Sequence, residues 1–398
     1  MTHIEQMIKD LCPNGVEFKP LGEVCDLKRG STITEKDAIA VDIPVIAGGQ
    51  KPAYYHNQSN REGKNITVAG SGAYAGYVSY WEQPIFVSDA FTVTPKDERL
   101  DIKFVYYFLN NIQDVIHHTK KGSGVPHVHP SSIANFEIPV PPLEIQKKIV
   151  ECLDKFSALA AELQAELQKR RTQYEYYRTQ LLTPPPPESN SADNNDDAKW
   201  EFKTLGEIGE MIKGTGIQKS DFVEKGLPCI HYGQVHTYYG TFARKTKSFI
   251  SEDLYARCKK AHTGDLVIAT TSEDVEACCK ATAWLGNEDV AVSGDAHIYR
   301  HTQNPKYMAY LFQTEMFAQQ KRKCAHGAKV TRVHGDDILK FSFAFPPLKE
   351  QERIVEILDT FEALTNSLTD GIPAEQAAQQ KRYEYYRNKL LTFKLRAV

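Results

Sequence analysis

Two long segments with the same apolar spacing constrain the fold of this 398-residue chain more than any other feature. They span residues 141–183 and 346–392, and each carries the sequence YEYYR near its end. Apolar and aromatic residues recur in them at alternating steps of three and four, the a/d pattern of a coiled coil. Neither glycine nor proline occurs between 143 and 183, so at about 1.5 Å per residue this segment predicts a helix of roughly 60 Å. One such helix alone would expose its apolar seam to water, and the second copy supplies a partner.

We predict that the two helices pack along these apolar positions as an antiparallel pair with pseudo-twofold symmetry. The first helix would contribute Ile149, Leu153, Phe156, Leu163, Leu167, Tyr174, Tyr177 and Leu181. The second helix would contribute Ile354, Leu358, Phe361, Leu368, Tyr383, Tyr386 and Leu390. Antiparallel pairing would place the segments that precede the two helices at opposite ends of the pair.

The second copy contains one extra four-residue step between its matching halves. An insertion of four residues is a stutter, which locally unwinds a coiled coil. Gly371 and Pro373 fall at this point, and both residue types are unfavourable inside a helix. We therefore predict a break near 370–373, with Pro373 suited to the first turn of a new helix.

The segments that flank the helices are also repeated. Residues 18–33 (FKPLGEVCDLKRGSTI) return as 202–217 (FKTLGEIGEMIKGTGI), with seven of sixteen positions identical. Residues 122–133 (GSGVPHVHPSSI) return as 327–338 (GAKVTRVHGDDI), whereas the stretches between these edges share little. Two similar scaffolds therefore carry two different surfaces, as expected of one task performed on two different targets.

The pattern between the repeats predicts an α+β fold. Short β-like runs separated by Gly, Pro, Asn and Asp alternate with helical stretches, which is typical of mixed α/β domains. We predict two such domains joined by the two long helices of the coiled coil. The boundaries are 1–140 for the first domain, 141–183 for the central helix, 184–200 for a Pro-rich and acidic linker, 201–345 for the second domain and 346–398 for the distal helix.

Composition and motifs exclude several classes of function. No apolar run approaches the ~18 residues of a membrane span, and the N-terminus lacks the apolar core of a signal peptide, so we expect a cytoplasmic protein with no membrane partner. The eight cysteines form no CxxC pair and no zinc-site spacing. Phosphate-binding and catalytic signatures such as GxxxxGK[ST], GxSxG and HExxH do not occur. We predict a chain with no catalytic residue, no metal site and no cofactor of its own.

The pair His127 and His129 deserves a separate interpretation. Two histidines on one face of a strand could ligate a metal, but the second copy has Arg332 and His334 there, and arginine is not a metal ligand. A turn or a phosphate-contacting pair is the better interpretation.

Basic, polar and aromatic residues cluster with glycine in the divergent stretches. Because the formal net charge is −3, a nucleic-acid surface must be a local patch. Lys and Arg would neutralise phosphates, while Arg, Lys, Asn and Gln can reach base edges. In the first domain the candidates are Lys28, Arg29, Lys51, Tyr54, Tyr55, Asn57, Arg61, Lys64, Ser71, Tyr74, Tyr77, Lys120, Lys121 and Ser123. In the second they are Lys213, Thr215, Gln218, Lys219, Tyr232, Gln234, His236, Tyr238, Arg244, Lys245, Lys247, Lys321, Arg322, Lys323, Lys329 and Arg332. For any single residue a solvated loop position is an equally good interpretation, and only the clusters favour DNA.

The repeated motifs resemble a known family. Domains that open with LGEV or LGEI and close in PPLEIQKKIV or PPLKEQERIV, each followed by a YEYYR helix, are similar to the specificity (S) subunit of type I restriction-modification systems, which act in phage defence. The adjacent tetrads AAEL and QAEL at 160–167 resemble the short helical repeat of the type IC class. The linker at 184–200 departs from the tighter junction typical of the family.

The resemblance implies a non-catalytic subunit that recognises double-stranded DNA. Each domain would be a target-recognition domain for one half of a bipartite, asymmetric site, and the paired helices would set the spacer. Two modification subunits, which methylate DNA with S-adenosylmethionine, would dock on the helices. Restriction subunits would add a translocase and nuclease that uses ATP and Mg²⁺.

Three other interpretations remain open from the residues alone. The chain could be a coiled-coil scaffold whose end domains bind proteins. It could be an orphan DNA-binding subunit associated with a methyltransferase. It could also be an enzyme whose motif the sequence does not reveal, although no cofactor loop is apparent in it.

Overall fold

The structure of the chain is a computed structural model that describes residues 2–37, 39, 41–122, 124–185, 199–327, 330–366 and 371–396. Four predictions fall partly or wholly outside the described residues: Ser123, Lys329, Leu368 and most of the linker at 184–200. The contacts divide the chain into two compact units, Met1–Ala165 with Ala374–Val398 (unit 1) and Glu166–Pro373 (unit 2). In the described part of the chain, no helix is long and apolar enough to cross a membrane.

The first half of the chain contains six helices and nine strands among its described residues. The helices are α1 (Thr2–Leu11), α2 (Leu21–Val24), α3 (Ile102–Asn111), α4 (Gln113–His118), α5 (Pro130–Ile133) and α6 (Leu143–Leu181). The strands are β1 (Phe18–Pro20), β2 (Cys25–Arg29), β3 (Ile43–Ile46), β4 (Tyr54–His56), β5 (Asn65–Ala69), β6 (Val78–Trp81), β7 (Phe86–Val87), β8 (Ala90–Pro95) and β9 (Glu137–Pro139).

The second half begins again with a strand. Its helices are α7 (Leu205–Ile208), α8 (Tyr232–Thr237), α9 (Glu252–Arg257), α10 (Pro305–Leu311), α11 (Glu315–Cys324), α12 (Gly335–Ile338), α13 (Leu348–Asn366) and α14 (Ile372–Leu391). Its strands are β10 (Glu201–Thr204), β11 (Gly209–Lys213), β12 (Leu227–Ile230), β13 (Phe242–Ala243), β14 (Ser248–Ile250), β15 (Lys260–Ala261), β16 (Leu266–Ala269), β17 (Thr271–Ser272), β18 (Lys280–Trp284), β19 (Val290–Val292), β20 (Ala296–His301), β21 (Thr331–Arg332) and β22 (Ser342–Phe345).

Unit 1 is built on an antiparallel sheet of order β2-β8-β5-β6, with a second sheet of order β4-β3-β7 beside it. All five residues of β5 are buried, and α3 covers one face of the sheet with Phe104, Val105 and Leu109. Helix α3 starts where the Asp101 carboxylate accepts the backbone N–H groups of Lys103 and Phe104. This side chain satisfies two N–H groups that the first helical turn leaves free.

Unit 2 also has two main sheets, and each has one strand more than its counterpart in unit 1. Its larger sheet has the order β11-β20-β16-β18-β13, and a second sheet has the order β14-β12-β19-β15. All four residues of β16 are buried, and α10 packs against this sheet with Tyr307, Met308 and Leu311 fully buried. Asn304 caps α10 as Asp101 caps α3, by accepting two backbone N–H groups.

The repeated sequence edges close each unit on itself. In unit 1, β1 pairs with β9, the strand that immediately precedes α6. In unit 2, β10 pairs with β22, which immediately precedes α13. The LGEV and LGEI motifs form the short helices α2 and α7, whose leucines Leu21 and Leu205 are completely buried. The repeats therefore supply the closing strands of each unit, while the divergent stretches supply the rest.

The long helices pack on one another inside each unit. In unit 1, the ring of Phe156 lies 6.4 Å from that of Tyr383 and 5.6 Å from that of Tyr386. Gln376 Nε2 donates to Gln164 Oε1 at 3.0 Å, so a later residue of α6 meets an earlier residue of α14 and the two run antiparallel there.

In unit 2, the second half of α6 meets α13. The rings of Tyr174 and Tyr177 stack on Phe361 at 6.4 and 5.4 Å between centroids. At the end of α6, Leu181 is half-buried while its neighbour Leu182 is fully buried. Tyr177 is nevertheless 38% exposed, whereas these predicted seam positions are buried or half-buried: Ile149, Leu153, Leu163, Leu167, Ile354, Leu358 and Leu390. Helix α6 is continuous, whereas the distal segment is two helices, one ending at Asn366 and the next starting at Ile372.

Candidate nucleic-acid interface

The end of β2 and the start of β8 form one wall of a cleft in unit 1. Gly30 N–H donates to Ala90 O and Ser31 N–H donates to Val87 O, both at 2.9 Å. A Cβ at position 30 would lie 2.3 Å from the carbonyl oxygens of Val87 and Ser88, so only glycine fits there. This close approach fixes Arg29, the last residue of β2, at the rim of the cleft.

A small loop forms the opposite wall. Lys121 and His127 exchange backbone hydrogen bonds at 2.9 and 2.8 Å, and Gly122 makes the turn with φ +113°. The loop is held to the sheet by Val128 N–H, which donates to Gly70 O at 3.0 Å.

The two walls enclose a volume of about 550 Å³ and bring opposite charges into one cleft. The rings of His127 and His129 lie nearly parallel, 6.0 Å apart, and Arg29 Nη2 donates to His129 Nδ1 at 3.0 Å. A guanidinium can only donate, so this nitrogen of His129 accepts and carries no proton. Elsewhere in the cleft, the Ser71 hydroxyl donates to the carboxylate of Asp89.

Unit 2 has the same arrangement of backbone hydrogen bonds. Gly214 N–H donates to Ala296 O at 3.0 Å and Thr215 N–H donates to Val292 O at 2.8 Å. A Cβ at position 214 would lie 2.2 Å from Ser293 O, so this position also requires glycine. The residue before it, Lys213, corresponds to Arg29.

The second wall is repeated as well. His326 and Arg332 exchange backbone hydrogen bonds at 3.1 and 2.8 Å, Gly327 turns with φ +114°, and Val333 N–H donates to Thr270 O. Arg332 therefore stands where unit 1 has His127.

His334 stands where unit 1 has His129, and its ring stacks on that of His326 at 4.6 Å. Nearby, His297 Nδ1 lies 2.9 Å from Thr270 Oγ1. Burial lowers the pKa of His297, and the positive charge of Lys213 lowers it further.

Most of the predicted residues of unit 1 are exposed. These are Lys28, Arg29, Lys51, Tyr55, Asn57, Lys64, Tyr74 and Lys121. The half-buried ones are Tyr54, Arg61, Ser71, Tyr77 and Lys120.

Several of the half-buried side chains bind the protein's own backbone. Arg61 Nη1 donates to Asn60 O at 2.7 Å and its Nη2 donates to Arg29 O at 2.9 Å. Lys120 Nζ donates to Ala73 O at 3.1 Å, and Tyr54 Oη donates to Ile33 O at 2.8 Å. Arg61 thus braces the end of β2, where it supports Arg29.

In unit 2 the exposed predicted residues are Lys213, Gln218, Lys219, Tyr238, Arg244, Lys245, Lys247, Arg322, Lys323 and Arg332. The half-buried ones are Thr215, Tyr232, Gln234 and His236. Both polar atoms of the Gln234 amide are engaged locally, by His231 N–H and the Ser248 hydroxyl. His236 donates to Thr271 O, and the Thr215 hydroxyl accepts Lys259 N–H.

The prediction that Lys321 contacts DNA is wrong. Its side chain is only 4% exposed, and the ammonium donates to the carbonyl oxygens of Glu276 at 2.8 Å and Cys278 at 3.0 Å. The ammonium of Lys321 thereby holds α11 against the loop that contains Glu276 and Cys278. The adjacent Arg322 forms ion pairs with Glu276 and Glu315, so Lys323 is the exposed cation of this group that makes no ion pair among the described residues.

Sequence reasoning missed Asp89, an acidic residue of the unit 1 cleft, and its counterpart in unit 2, Asp295. Asp89 lies in the sequence VSDA and Asp295 in VSGDA, and the carbonyl of the alanine that follows each of them accepts the N–H of Gly30 or Gly214. Comparing the two halves over this stretch would have found both. Among the residues that the structure describes, no group of three or more His, Cys, Asp or Glu could hold a metal ion, and His127 and His129 do not form one.

A repeated polar contact fastens each unit to its long helix. In unit 1, Asp154 of α6 accepts Lys103 Nζ at 2.9 Å and Tyr107 Oη at 2.5 Å. In unit 2, Asp359 of α13 accepts Lys306 Nζ at 2.5 Å and Tyr310 Oη at 2.8 Å. We call these the Asp154 joint and the Asp359 joint.

A buried glutamine stands beside each joint. The Gln146 amide accepts Asp101 N–H and donates to Pro141 O, and the Gln351 amide accepts Asn304 N–H and donates to Pro346 O. Both glutamines are fully buried. They tie the cap of α3 or α10 to the start of the long helix, so each sheet domain has a fixed orientation on the helix of its own unit.

Comparisons with known proteins agree on one family. A family model described as the type I restriction modification DNA specificity domain matches residues 13–170 and 197–376. The chain is 28% identical to a putative type I restriction enzyme specificity subunit of Haemophilus influenzae, over 98% of each chain. It is also 28% identical to the specificity subunit of the EcoR124I/EcoR124II type I restriction enzyme of Escherichia coli, over 99% of this chain and 97% of that one.

Solved structures show the same fold. An S subunit of a type I restriction-modification system from M. genitalium superposes with a TM-score of 0.58 at 16% identity, covering 95% of this chain and 96% of that one. A chain from a structure on the assembly and conformational transition of the type I R-M system gives 0.57 at 18% identity, covering 95% and 98%.

Proposed function

The chain belongs to the family of type I restriction-modification DNA specificity domains, and from this premise we propose that each of its units reads one half of a bipartite, asymmetric DNA site. Specificity subunits are the non-catalytic DNA-recognition components of their systems. The observation that carries the proposal is the duplication itself: two units share their closing strands and the backbone hydrogen bonds around Gly30 and Gly214 but differ in the stretches between them.

The exposed basic and aromatic residues of the divergent stretches support this proposal. Lys51, Tyr55 and Asn57 project from unit 1 in a stretch without a counterpart, as do Tyr238 and Arg244 in unit 2. Exposed lysines and arginines can neutralise phosphates, and amide and guanidinium groups match the donor and acceptor pattern of the major groove. Different residues in the two units would read different half-sites.

The helices would set the distance between the half-sites. Each joint holds a sheet domain on its helix through a carboxylate, an ammonium and a tyrosine hydroxyl. A spacer between half-sites can be constant only if the reading domains do not swivel on their helices. Half-sites about one turn of DNA apart, roughly 34 Å, suit a protein that contacts one face of the duplex.

We also propose that two methyltransferase subunits dock on the helices. Tyr176 and Tyr385 occupy the same position in the two YEYYR sequences and are 60% and 61% exposed. Each stands edge-on to the next tyrosine, Tyr177 at 5.4 Å and Tyr386 at 5.1 Å. Exposed aromatic side chains are frequent hot spots of protein interfaces, and a surface built twice suits two copies of one partner.

The remaining parts of the complex follow from the same proposal. Restriction subunits would join the complex and supply translocation and cleavage with ATP and Mg²⁺. The methyltransferase subunits would use S-adenosylmethionine, while this chain would hold no cofactor. Its action on the DNA of its host would take place in the cytoplasm.

Methylation mapping tests the proposal. The chain would be co-expressed with its methyltransferase subunits in a host that lacks DNA methylation, and methylated adenines would be located across the genome. We expect one interrupted, asymmetric motif. Replacing residues 218–326 by the divergent stretch of another specificity subunit should change one half of the motif and leave the other half intact. Methylation without an interrupted motif, or a change in both halves, would contradict the proposal.

A further inference from the structure

The hydrogen-bonded frame of the unit 1 cleft is repeated in unit 2, although the stretches between the repeated edges differ, and we call the corresponding place in unit 2 its cleft. In each, a glycine N–H binds an alanine carbonyl across the cleft floor, and a glycine-turned loop forms the far wall. The rim residue before the glycine is basic in both units, Arg29 and Lys213. In unit 1, His129 of the loop accepts a hydrogen bond from Arg29, and in unit 2 His334 occupies the corresponding loop position. A feature that is the same in both units cannot distinguish two different half-sites.

We propose that the two clefts are phosphate clamps, each holding one phosphate of the DNA backbone. In unit 1 the phosphate would be bound by Arg29 and the His127–His129 pair. In unit 2 it would be bound by Lys213 with Arg332. The inference rests on the proposed DNA-binding function and assigns a distinct, sequence-independent task to one part of that surface.

The charges in the clefts support this assignment. Arg29, Lys213 and Arg332 are all exposed, and among the described residues none of them forms an ion pair with a carboxylate. Other arginines are neutralised within the protein, for example Arg353 by Glu350. Exposed cations that no carboxylate neutralises are the groups that release counterions when they bind phosphate.

One cleft position carries different residue types in the two units, and this difference also fits a phosphate ligand. Position 127 is histidine and the corresponding position 332 is arginine, which share the ability to donate hydrogen bonds to an anion. A site that reads a base would require a fixed pattern of donors and acceptors, because base edges differ from one another in that pattern. A phosphate demands only donors and positive charge, so Arg, Lys and His are interchangeable there.

An acidic residue in the cleft restricts where the phosphate can lie. Asp89 is exposed and accepts the Ser71 hydroxyl, and Asp295 occupies the corresponding place in unit 2. Ionised carboxylates accept hydrogen bonds and repel phosphate. The phosphate would therefore lie at the end of the cleft that carries Arg29 or Lys213, and this would fix the direction in which the DNA strand crosses each unit.

Binding of DNA by single-residue variants tests the clamps. The full chain, assembled with its methyltransferase subunits, would be titrated with a duplex that carries its methylated motif and with an unrelated duplex, at several salt concentrations. For Arg29→Ala, Lys213→Ala and Arg332→Ala we expect roughly tenfold weaker binding to both duplexes, since a hydrogen bond to a charged group is lost. The slope of log affinity against log salt should become shallower by about 0.9 for each phosphate contact removed.

Two controls separate charge from folding. Arg29→Lys keeps the charge and should retain the wild-type salt slope, while Arg353→Ala removes an arginine that is already ion-paired and should change nothing. A neutral methylphosphonate at the clamped position of one half-site should weaken the wild type and leave Arg29→Ala unaffected.

Two results would overturn the clamps. One is an unchanged salt slope in the alanine variants, and the other is a loss of affinity confined to the motif-bearing duplex with a changed base preference. Whether the wild type prefers its motif over unrelated DNA is measured in the same titration, and this preference judges the proposed function separately.

Discussion

Breaking one joint should loosen one unit and spare the other. The change is Asp154→Asn, which keeps the size of the side chain and removes the charge that holds Lys103 and Tyr107. Burial raises the pKa of Tyr107, so its hydroxyl stays protonated and remains a donor at neutral pH. The asparagine oxygen can still accept from Tyr107, but its NH₂ group would face the ammonium of Lys103.

The expected cost follows from the exposure of the joint. A hydrogen bond to a charged group contributes about 1.5–3 kcal/mol when it is buried. The side chains of Lys103 and Asp154 are 27% and 38% exposed, so water screens part of the attraction. We expect a net loss of about 1–2 kcal/mol, which corresponds to a factor of roughly 5–30 in the population of locally opened states.

Hydrogen exchange measured peptide by peptide reports this opening directly. Amides of α3, which carries Lys103 and Tyr107, should exchange faster in Asp154→Asn, and amides of α10 should not change. The matched control is Asp359→Asn, which should show the opposite pattern because Lys306 and Tyr310 lie on α10. Unchanged exchange in α3, or equal loosening of both helices by either variant, would refute the view that each joint holds its own unit.

Three further predictions concern single residues. Lys321→Met should destabilise unit 2 by about 2 kcal/mol, because two buried carbonyl groups lose their donor. The same variant should leave the salt slope of DNA binding unchanged, and a shallower slope in a folded variant would contradict this prediction. Tyr176→Ala or Tyr385→Ala alone should leave one methyltransferase subunit bound and the double variant none, as counted by native mass spectrometry, and full occupancy in the double variant would dismiss this surface. Burial lowers the pKa of His301 to about 4 from an ordinary 6.5, so only the unfolded chain takes up a proton as the pH falls between these values. Unit 2 should therefore lose stability from pH 6.5 down to pH 4, in urea unfolding followed at each pH, and His301→Gln should remove that dependence; an identical pH profile in the variant would rule His301 out as its source.

The duplicated frame was predictable because it rests on short-range rules. Apolar steps of three and four predicted a long helix, and α6 runs as a continuous helix from Leu143 to Leu181. Glycine and proline at 371 and 373 predicted a break, and the structure has one helix ending at Asn366 and another starting at Ile372. Local sequence fixes where a helix can start and stop, so these features need no knowledge of the tertiary structure.

The individual binding residues were harder to predict, because residue type does not show whether a side chain points to solvent or into the protein. Lys321 looked like part of a basic cluster, yet it lies one helical turn after Phe317 on the same face of α11, and both are buried. The spacing of four from a large aromatic residue was the available signal. Arg61 and Gln234 show the same limit, since their polar groups bind backbone and side chains that only the folded loops bring near.

The spacing between half-sites tests the central claim most directly. Deleting residues 160–163 removes four residues from α6, which shortens the helix by about 6 Å, or about two base pairs of DNA. We expect methylation mapping of this variant to return both half-site sequences unchanged, separated by a shorter spacer. A motif with the original spacer, or with altered half-sites, would contradict the proposal that the paired helices set the distance between two independent reading domains.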